Sequence, residues 1–566
     1  MGLFATSVSP VARIGGALGL AGTTTSLSAQ TFGNYKAIVI LDMDGGNDAM
    51  NMFPPTMQES HEIYKEIRTN LGVELYKKDD NGEYTTDKID LYDDEHYNVD
   101  ETTEHFIGSL GKNQPYFVPL DPKYPDKLDT EYGKEDMYTK GSYHTKKTDG
   151  TYTGLGIHAL MPEMASLYNK GVLSIASNTG VLIEPVKKEE IEDGSVRLPE
   201  FLFSHGNQRE LVSTLQAGKL GSKSGWAGRL ADSWQVNGSL GLNISYGGST
   251  KTFMGLTTSG LTMGTNGPTS YGNRLNIEKF DELLIGTADR AQNTNIFDMF
   301  TNNINKKTAM LSKDLSSIWA SAPIFTTPYK LEDKTLKPET YPDVNNSYGD
   351  PLFTLYTGNG ITRENLGTRT HHGLDTRIFK QLESTAKMIK ISQDFKDSDE
   401  NQVERQIFYV RQAGHDVHGK QVDTHSKHLR AISLAVSDFY KALEAMGLEE
   451  KVLLVSMSDF GRTIKSNSDG TDHGWGGHSF MMCGDAKFNG GKVYGDVLED
   501  LSLEGVNAYT KRARIIPTTS IEQTLAPALK WFGVDDATMA ETLPNLENFR
   551  TDVNSAESAF LEGVFA

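Results

Sequence analysis

One short segment near the start of the chain limits the fold more than any other. Residues 36–41 form an apolar run with β-branched side chains, and the run ends abruptly in an Asp-rich stretch with a glycine pair, residues 42–51. Such a run is typical of a buried strand in a mostly parallel sheet. Polar, glycine-rich residues directly after a strand are where α/β proteins place their ligands.

Further apolar runs predict the rest of the sheet. The segments 171–176, 451–456 and 479–483 resemble the first run and predict three more strands. Helical spacing or composition predicts helices at 155–168, 377–395, 426–446 and 524–531. This alternation predicts an α/β fold, in which helices cover both faces of a parallel or mixed sheet.

The length of 566 residues allows one large domain with insertions. We assign the α/β domain to 35–550, a polar acidic surface insertion to 72–150, a cap or subdomain to 240–370, and a C-terminal tail to 551–566. Residues 1–30 contain Arg13, a short apolar stretch and small polar residues, which is typical of an export signal. We therefore expect a periplasmic or extracellular bacterial protein. A disordered arm is the alternative interpretation.

Charge and cysteine content narrow the function classes. The net charge of −20 disfavours binding to nucleic acid and to anionic membranes, and no segment outside the N-terminus approaches transmembrane length. A small anionic substrate would need bound cations to reverse the local field. Because Cys483 is the only cysteine, any metal must be held by oxygen and nitrogen ligands.

Histidines are concentrated in one part of the chain. Eight of the 14 lie between His371 and His478, most of them beside glycine or a carboxylate, in groups at 414–421 and 470–478. A carboxylate-containing group at 458–462 accompanies them. Mixed Asp and His groups on loops after strands suit one or two divalent cations, which could be zinc, manganese, magnesium or calcium. Taken singly, such a group is more often a hydrogen-bonded loop pair than a ligand set.

The ordered set of motifs resembles domain-of-unknown-function family 1501, which is related to alkaline phosphatases and sulfatases. The segments that carry the resemblance are Asp44–Asn51, Phe203–His205, Gly225–Arg229, Gly414–Gln421, Ser458–Thr463, Gly470–Gly474 and Ile516–Ser520. The resemblance implies an alkaline phosphatase-like sheet, an export signal and a hydrolytic metal site.

The resemblance also implies roles for individual residues. The first-strand ligand would be Asp44 or Asp48, with Asp48 favoured, and the last histidine would be His473 or His478. The full set of implied metal ligands is Asp44, Asp48, Asp416, His418, Asp459, Asp472, His473 and His478. Where the superfamily commonly has histidine after Asp459 this chain has Phe460, so one imidazole is missing or comes from elsewhere.

Three residues are candidates for the chemistry itself. Ser204 occupies the place of the superfamily nucleophile, and a metal ion would activate its hydroxyl. Alternatively, Ser204 and His205 form a polar loop that caps a helix. Arg462 could stabilise an oxyanion, or could form a salt bridge with Asp459 or Asp469.

Two functions follow from these residues. The first is an exported metal-dependent hydrolase of small anionic phosphate or sulfate esters, with Ser204 or metal-bound water as the nucleophile. The second is a catalytically inactive surface or binding protein that keeps the superfamily fold, as the Phe460 substitution would suggest.

Overall fold

The computed structural model describes residues 32–92, 138–234, 240–268, 377–396, 402–510 and 513–566, together with residue 400 and short pieces between 279 and 353. The strands of these regions, in chain order, are β1 (Lys36–Asp44), β2 (Tyr76–Lys78), β3 (Tyr84–Lys88), β4 (Ser142–Lys146), β5 (Tyr152–His158), β6 (Leu173–Gly180), β7 (Asn243–Ser245), β8 (Leu261–Thr262), β9 (Arg405–Ala413), β10 (Val452–Ser458), β11 (Arg462–Ser466), β12 (Thr471–His473), β13 (Gly477–Cys483), β14 (Val493–Tyr494), β15 (Ala508–Tyr509), β16 (Arg514–Ile515) and β17 (Thr519–Ser520). The helices are α1 (Ala49–Met52), α2 (Gln58–Arg68), α3 (Pro162–Asn169), α4 (Lys188–Asp193), α5 (His205–Thr214), α6 (Trp226–Ser233), α7 (Arg377–Asp394), α8 (Gln421–Met446), α9 (Ile521–Phe532) and α10 (Asp536–Thr542).

A nine-stranded sheet forms the centre of the fold. Its strands lie in the order β14, β6, β13, β10, β1, β9, β7 and β8, and β17 pairs with β6. The strand β1 is parallel to both of its neighbours, β10 and β9. The strand β13 is antiparallel to β10 and to β6, whereas the other pairs in this sheet are parallel. The prediction of a mostly parallel sheet is therefore confirmed.

Helices cover both faces of the sheet. Along β1, Val39 and Leu41 belong to the core cluster that includes residues of α7 and α8. The alternate residues Ile38 and Ile40 belong to the cluster that includes residues of α9. Because successive side chains of a strand point to opposite faces, this division places a hydrophobic core on each side of the sheet.

The ends of two helices show why they lie where the sequence predicts. The helix α9 begins at Ser520, whose hydroxyl accepts from the backbone N–H of Gln523 while the Gln523 side chain returns to the Ser520 N–H. It ends at Gly533, which has a left-handed backbone (φ 108°). The 26-residue helix α8 likewise ends at a left-handed glycine, Gly447. Each end satisfies backbone groups that the helix itself leaves free.

Two of the differences between the structure and the predicted elements concern buried segments. The central strand β9 was not predicted, because Arg405 and Arg411 interrupt its apolar pattern; Arg405 is buried through hydrogen bonds to backbone carbonyls, including that of Phe532. The segment 155–168, predicted as a helix, divides into the end of β5 and the helix α3. Its apolar residues therefore serve a strand first and a helix afterwards.

The predicted surface insertion is partly described. Residues 93–137 lie outside the described part of the chain, but the segments on either side enter the core. Leu75, Leu91, Tyr138 and Tyr143 are all buried. The Tyr138 hydroxyl hydrogen bonds with His425 Nδ1 (2.7 Å) on α8. The flanks of the insertion are thus packed against the main domain.

The structure describes the other predicted regions only in part. Residues 240–268 contribute β7 and β8 to the central sheet, while most of 269–370 and all of 1–30 lie outside the described residues. The C-terminal tail packs through Val564, which is buried. None of the helices described here combines the length and the apolar composition required to cross a bilayer.

Candidate metal centre

The candidate site lies where the central parallel strands end. The strands β1, β9 and β10 run in the same direction, so the loops after them meet at one edge of the sheet. The loop after β9 carries Asp416 and His418, and the residue after β10 is Asp459. The N-terminus of α5 and the strand β12 add His205 and His473.

The glycine pair after β1 explains how these loops approach so closely. Gly45 and Gly46 have left-handed backbones, with φ of 115° and 80°. A Cβ atom on Gly45 would lie 2.6 Å from the backbone nitrogen of Asp416, and one on Gly46 would lie 2.4 Å from the Phe460 ring. Only glycine therefore permits both the backbone conformation and the close contact.

One carboxylate oxygen, Asp416 Oδ1, is the centre of the group. It lies 3.3 Å from His205 Nε2, 2.9 Å from His418 Nε2 and 3.3 Å from His473 Nε2. The Arg462 guanidinium contacts the same oxygen through Nη1 at 3.1 Å. Burial would raise the pKa of Asp416, but Arg462 and the neighbouring imidazoles outweigh it, so the pKa is lowered. Asp416 is therefore held as a carboxylate.

The hydrogen bonds of His473 fix which of its ring nitrogens faces the group. His473 Nδ1 lies 2.7 Å from the carbonyl oxygen of Phe203. A carbonyl only accepts, so Nδ1 carries the hydrogen and the neutral ring presents the lone pair of Nε2 to Asp416. Burial lowers the pKa of His473, which favours this neutral form. A metal-ligating histidine characteristically has such a partner on its other nitrogen.

His205 is oriented in the same way. Its Nδ1 donates to Asp459 Oδ2 at 2.9 Å, which directs Nε2 towards Asp416. This hydrogen bond to Asp459 raises the pKa of His205. The ring also packs against Phe460, with centroids 4.8 Å apart. His205 thus supplies an imidazole beside Asp459, where the sequence has Phe460 instead of histidine.

His418 completes the ring of imidazoles. Its Nε2 lies 2.8 Å from His473 Nε2, so two nitrogen atoms face each other across the group. His418 Nδ1 is 3.8 Å from Asp472 Oδ1. Asp472 Oδ1 also accepts from the backbone N–H of His473 at 2.8 Å, which ties this carboxylate to the same strand.

These donors fit a divalent cation. In two overlapping sets, His205 with Asp416 and His473, and His418 with Asp472 and His473, the ligand atoms lie within 4.8 Å of one another. Ligands about 2.0–2.1 Å from a tetrahedral zinc would be roughly 3.3 Å apart. The distances from Asp416 Oδ1 to His205 Nε2 and His473 Nε2 are both 3.3 Å. A mixed nitrogen and oxygen set of this kind suits zinc or manganese better than calcium.

Arg462 supports the group by contacting Asp416. Its side chain is fully buried, and besides Asp416 it donates to the carbonyl oxygen of Thr471 at 2.8 Å. Among the described residues, Arg462 therefore forms its ion pair with Asp416 and not with the expected Asp459 or Asp469. Its position fixes one ligand rather than facing open solvent.

Four predicted ligands are not brought into either set. Asp459 accepts from His205 Nδ1 at 2.9 Å instead. Asp44 forms ion pairs with Arg209 and Arg411. Asp48 is fully buried and both of its oxygens contact Arg68. His478 lies on β13, where its Nδ1 accepts from the backbone N–H of Asn178 at 3.1 Å. Existing partners occupy the carboxylates, and strand pairing directs His478 elsewhere.

Ser204 occupies the N-cap position of α5, as the nucleophile hypothesis requires. Its hydroxyl makes no capping hydrogen bond, although its carbonyl oxygen accepts from the Gln208 N–H at 2.8 Å. The alternative interpretation of Ser204 as a side-chain cap is therefore not what the structure shows. The free N–H groups at this helix end favour a nearby anion.

Several contributors were absent from the prediction. Arg209 contacts both Asp44 and Asp459, and Phe203 supplies the carbonyl that orients His473. Phe203 also has a left-handed backbone (φ 73°), which is rare for an aromatic residue. The motif containing Phe203 marked the region, but a backbone role has no side-chain signature in a single sequence.

Comparison with known proteins gives a partial placement. None of the curated proteins compared with the chain matches it. A solved structure titled "Crystal structure of Ps i-CgsB in complex with k-i-k-neocarrahexaose" is 11% identical, with a TM-score of 0.26, over 60% of this chain and 63% of that chain. This chain thus spans less than two thirds of that neighbour. Residues 400–519, which include Asp416, His418, Asp459 and His473, match a family described as "Protein of unknown function (DUF1501)".

Proposed function

We propose that this chain is an exported, metal-dependent hydrolase of small phosphate or sulfate esters, with an alkaline phosphatase-like fold. The observation that carries the proposal is the convergence of His205, His418 and His473 on Asp416 Oδ1, with two of the imidazoles oriented through Nδ1. A ligand set spread over three separate segments, with its tautomers fixed, is what a catalytic cation needs.

The residues around the site have distinct tasks in this proposal. A bound divalent cation would polarise an ester oxygen and lower the pKa of a coordinated hydroxyl or water. Asp459 and the Phe203 carbonyl keep His205 and His473 directed at the cation. The N-terminus of α5 directs backbone N–H groups towards developing negative charge. Either the Ser204 hydroxyl or a water molecule attacks the phosphorus or sulfur atom, the bond to the ester oxygen breaks, and the alcohol leaves with the proton of the nucleophile. Attack by Ser204 leaves a seryl ester, which water then hydrolyses.

The Phe460 substitution is compatible with activity in this arrangement. The Phe460 ring packs against both His205 and His473, with centroid distances of 4.8 Å to each, and the two imidazoles lie 4.3 Å from each other. Phe460 therefore limits the movement of both imidazoles, and His205 supplies the nitrogen that Phe460 does not. The alternative function, an inactive binding protein, predicts no turnover.

The decisive experiment measures metal content and turnover together. Purified protein should contain a divalent cation by mass spectrometry, and should hydrolyse nitrophenyl phosphate or sulfate only without chelator. His205→Ala should lose both the cation and turnover. A protein that binds the cation but turns over none of a broad ester panel would favour the binding function, and a protein without a cation would overturn the metal centre.

A second pair of variants assigns the nucleophile. Ser204→Ala should abolish hydrolysis while metal content stays at the parental level, if the serine attacks. Ser195→Ala, at an exposed position on the preceding loop, is the matched control and should match the parent. Parental turnover in Ser204→Ala would assign the attack to water.

A further inference from the structure

A second group of carboxylates lies beside the metal centre. Asp42 and Asp44 end β1, and Asp459 follows β10, the neighbouring parallel strand. Arg209 Nη2 contacts both Asp44 Oδ1 and Asp459 Oδ2, the latter at 3.3 Å, so these two carboxylates share one guanidinium. Three carboxylates at one strand edge would ordinarily suggest a place for another cation.

The oxygens of this second group already have partners. Arg411 contacts Asp44 Oδ2, while Arg209 contacts Asp44 Oδ1. Asp459 Oδ2 accepts from His205 Nδ1 at 2.9 Å, and the Tyr409 hydroxyl donates to Asp42 Oδ2. This group therefore offers poor ligands to an ion.

Two arginines also stand opposite two of these carboxylates. Asp44 and Asp459 face the guanidinium groups of Arg209 and Arg411. A divalent cation here would leave an excess of positive charge unless an arginine moved away. Neither arginine is confined by full burial, since the side chains of Arg209 and Arg411 are 45% and 36% exposed.

We propose that the centre holds a single cation, and that Arg209 supplies the second positive charge and binds the anionic group of the substrate. This inference rests on the proposed function, because it takes the cation at Asp416 as given. Arg209 lies on the first turns of α5, five residues after Ser204, and it contacts Asp459, which orients His205. A planar guanidinium with donors left towards solvent matches the oxygens of a phosphoryl or sulfuryl group.

Metal stoichiometry gives the first test. Protein stripped with chelator and reloaded with excess zinc should hold one tightly bound ion per chain. Two tightly bound ions in the parent would overturn the inference while leaving the proposed function standing. An absence of bound ions would overturn the proposed function itself, and the inference with it.

Arginine variants give the second test. Zinc-loaded Arg209→Met should bind inorganic phosphate at least about tenfold more weakly by calorimetry, with one zinc retained. Arg209→Lys should recover only part of the affinity, because lysine keeps the charge but not the planar pair of donors. Arg197→Met is the control, since the Arg197 side chain is 71% exposed and forms a surface ion pair with Glu184.

The double variant Arg209→Met with Arg411→Met tests the substitution of guanidinium for metal directly. Removing both cations should allow a second zinc ion to bind at Asp44 and Asp459, raising the stoichiometry from one to two. Unchanged phosphate affinity in folded Arg209→Met would contradict the substrate role of Arg209. A double variant that folds and still binds one zinc would show that the arginines do not stand in for an ion.

Discussion

Two aspartates in neighbouring loops show how differently one side chain is used in this protein. Asp48 follows β1 and is fully buried, and its oxygens contact Arg68 and Gln421. Asp416 follows β9 and is 44% exposed, and one of its oxygens faces three imidazoles. Both have a lowered pKa, because a neighbouring arginine outweighs the effect of burial. Asp48 and Asp416 therefore do not differ in charge state. They differ in whether a ligand can reach the carboxylate.

This comparison separates residues that stabilise the fold from residues that would bind a cation in the proposed centre. Asp48 also accepts from the Asn51 N–H at the start of α1, so it joins a loop, a helix and a buried arginine. The Asp416 side chain is instead 44% exposed. We expect changes near Asp48 to affect unfolding and changes near Asp416 to affect metal binding. The first three of the following four experiments examine that division, and the fourth concerns a buried carboxyl elsewhere.

The largest effect is expected from Arg68→Met. This change leaves Asp48 as an uncompensated buried charge, so the free energy of unfolding should fall by about 3–5 kcal/mol. Urea unfolding of chelator-treated protein measures it. The folded fraction should bind zinc as the parent does. A loss below about 1 kcal/mol would show that Asp48 does not depend on its arginine.

His418→Ala is the counterpart on the metal side. His418 is 45% exposed, so its removal should change the free energy of unfolding without metal by less than about 0.5 kcal/mol. Zinc affinity should nevertheless fall at least about 100-fold, beyond the usual cost of losing a supporting residue. Calorimetry of stripped protein measures this, with Lys465→Ala as an exposed control. Equal affinities in the two variants would remove His418 from the ligand set.

Asp459→Ala should have an intermediate effect. It removes the acceptor that orients His205, so zinc affinity should fall about 10–100-fold. Asp459→Asn retains an oxygen that can accept from His205 Nδ1, and should lose less than about tenfold. If both variants are equally weak, the charge of Asp459, rather than its hydrogen bond, supports the centre.

The smallest effect concerns Glu522, a buried carboxyl on α9. Burial raises its pKa from 4.5 to about 7 in the folded protein. The folded state keeps a proton that the unfolded chain releases near pH 4.5, so this contribution to stability is lost as pH rises through 7. Relative to the parent, Glu522→Gln should therefore gain about 1–2 kcal/mol in the free energy of unfolding between pH 4.5 and pH 6, measured by urea unfolding at both values. An identical pH dependence in parent and variant would contradict the raised pKa.

The sequence revealed those parts of the fold whose signals are local. The strands β1 and β10 and the helix α8 have continuous apolar patterns, and each was predicted close to its observed bounds. The strand β9 carries an arginine near each end, so its central place in the sheet was hidden. Its polar residues are tolerated because partners distant in the chain satisfy them, as Phe532 does for Arg405.

The candidate site was visible as a set of residues but not as an arrangement. The motifs named Asp416, His418 and His473, which the structure brings together. They also named Asp48, whose pairing with Arg68 removes it from the ligand set. A carboxylate in a motif looks the same whether its oxygens are free or already paired, and only the folded chain distinguishes the two.

The left-handed backbone of Phe203 limits how this protein could be stabilised. An aromatic residue in the left-handed region costs about 1–3 kcal/mol, which the rest of the fold must compensate. The Arg514 guanidinium lies 3.8 Å from the centre of the Phe203 ring and helps to hold Phe203 in place. The Phe203 carbonyl in turn orients His473. Glycine would adopt the same turn without strain and without that anchor. At this position, the stability of the fold and the placement of His473 therefore favour different residues. Selection for thermal stability alone would favour a residue that orients His473 less well.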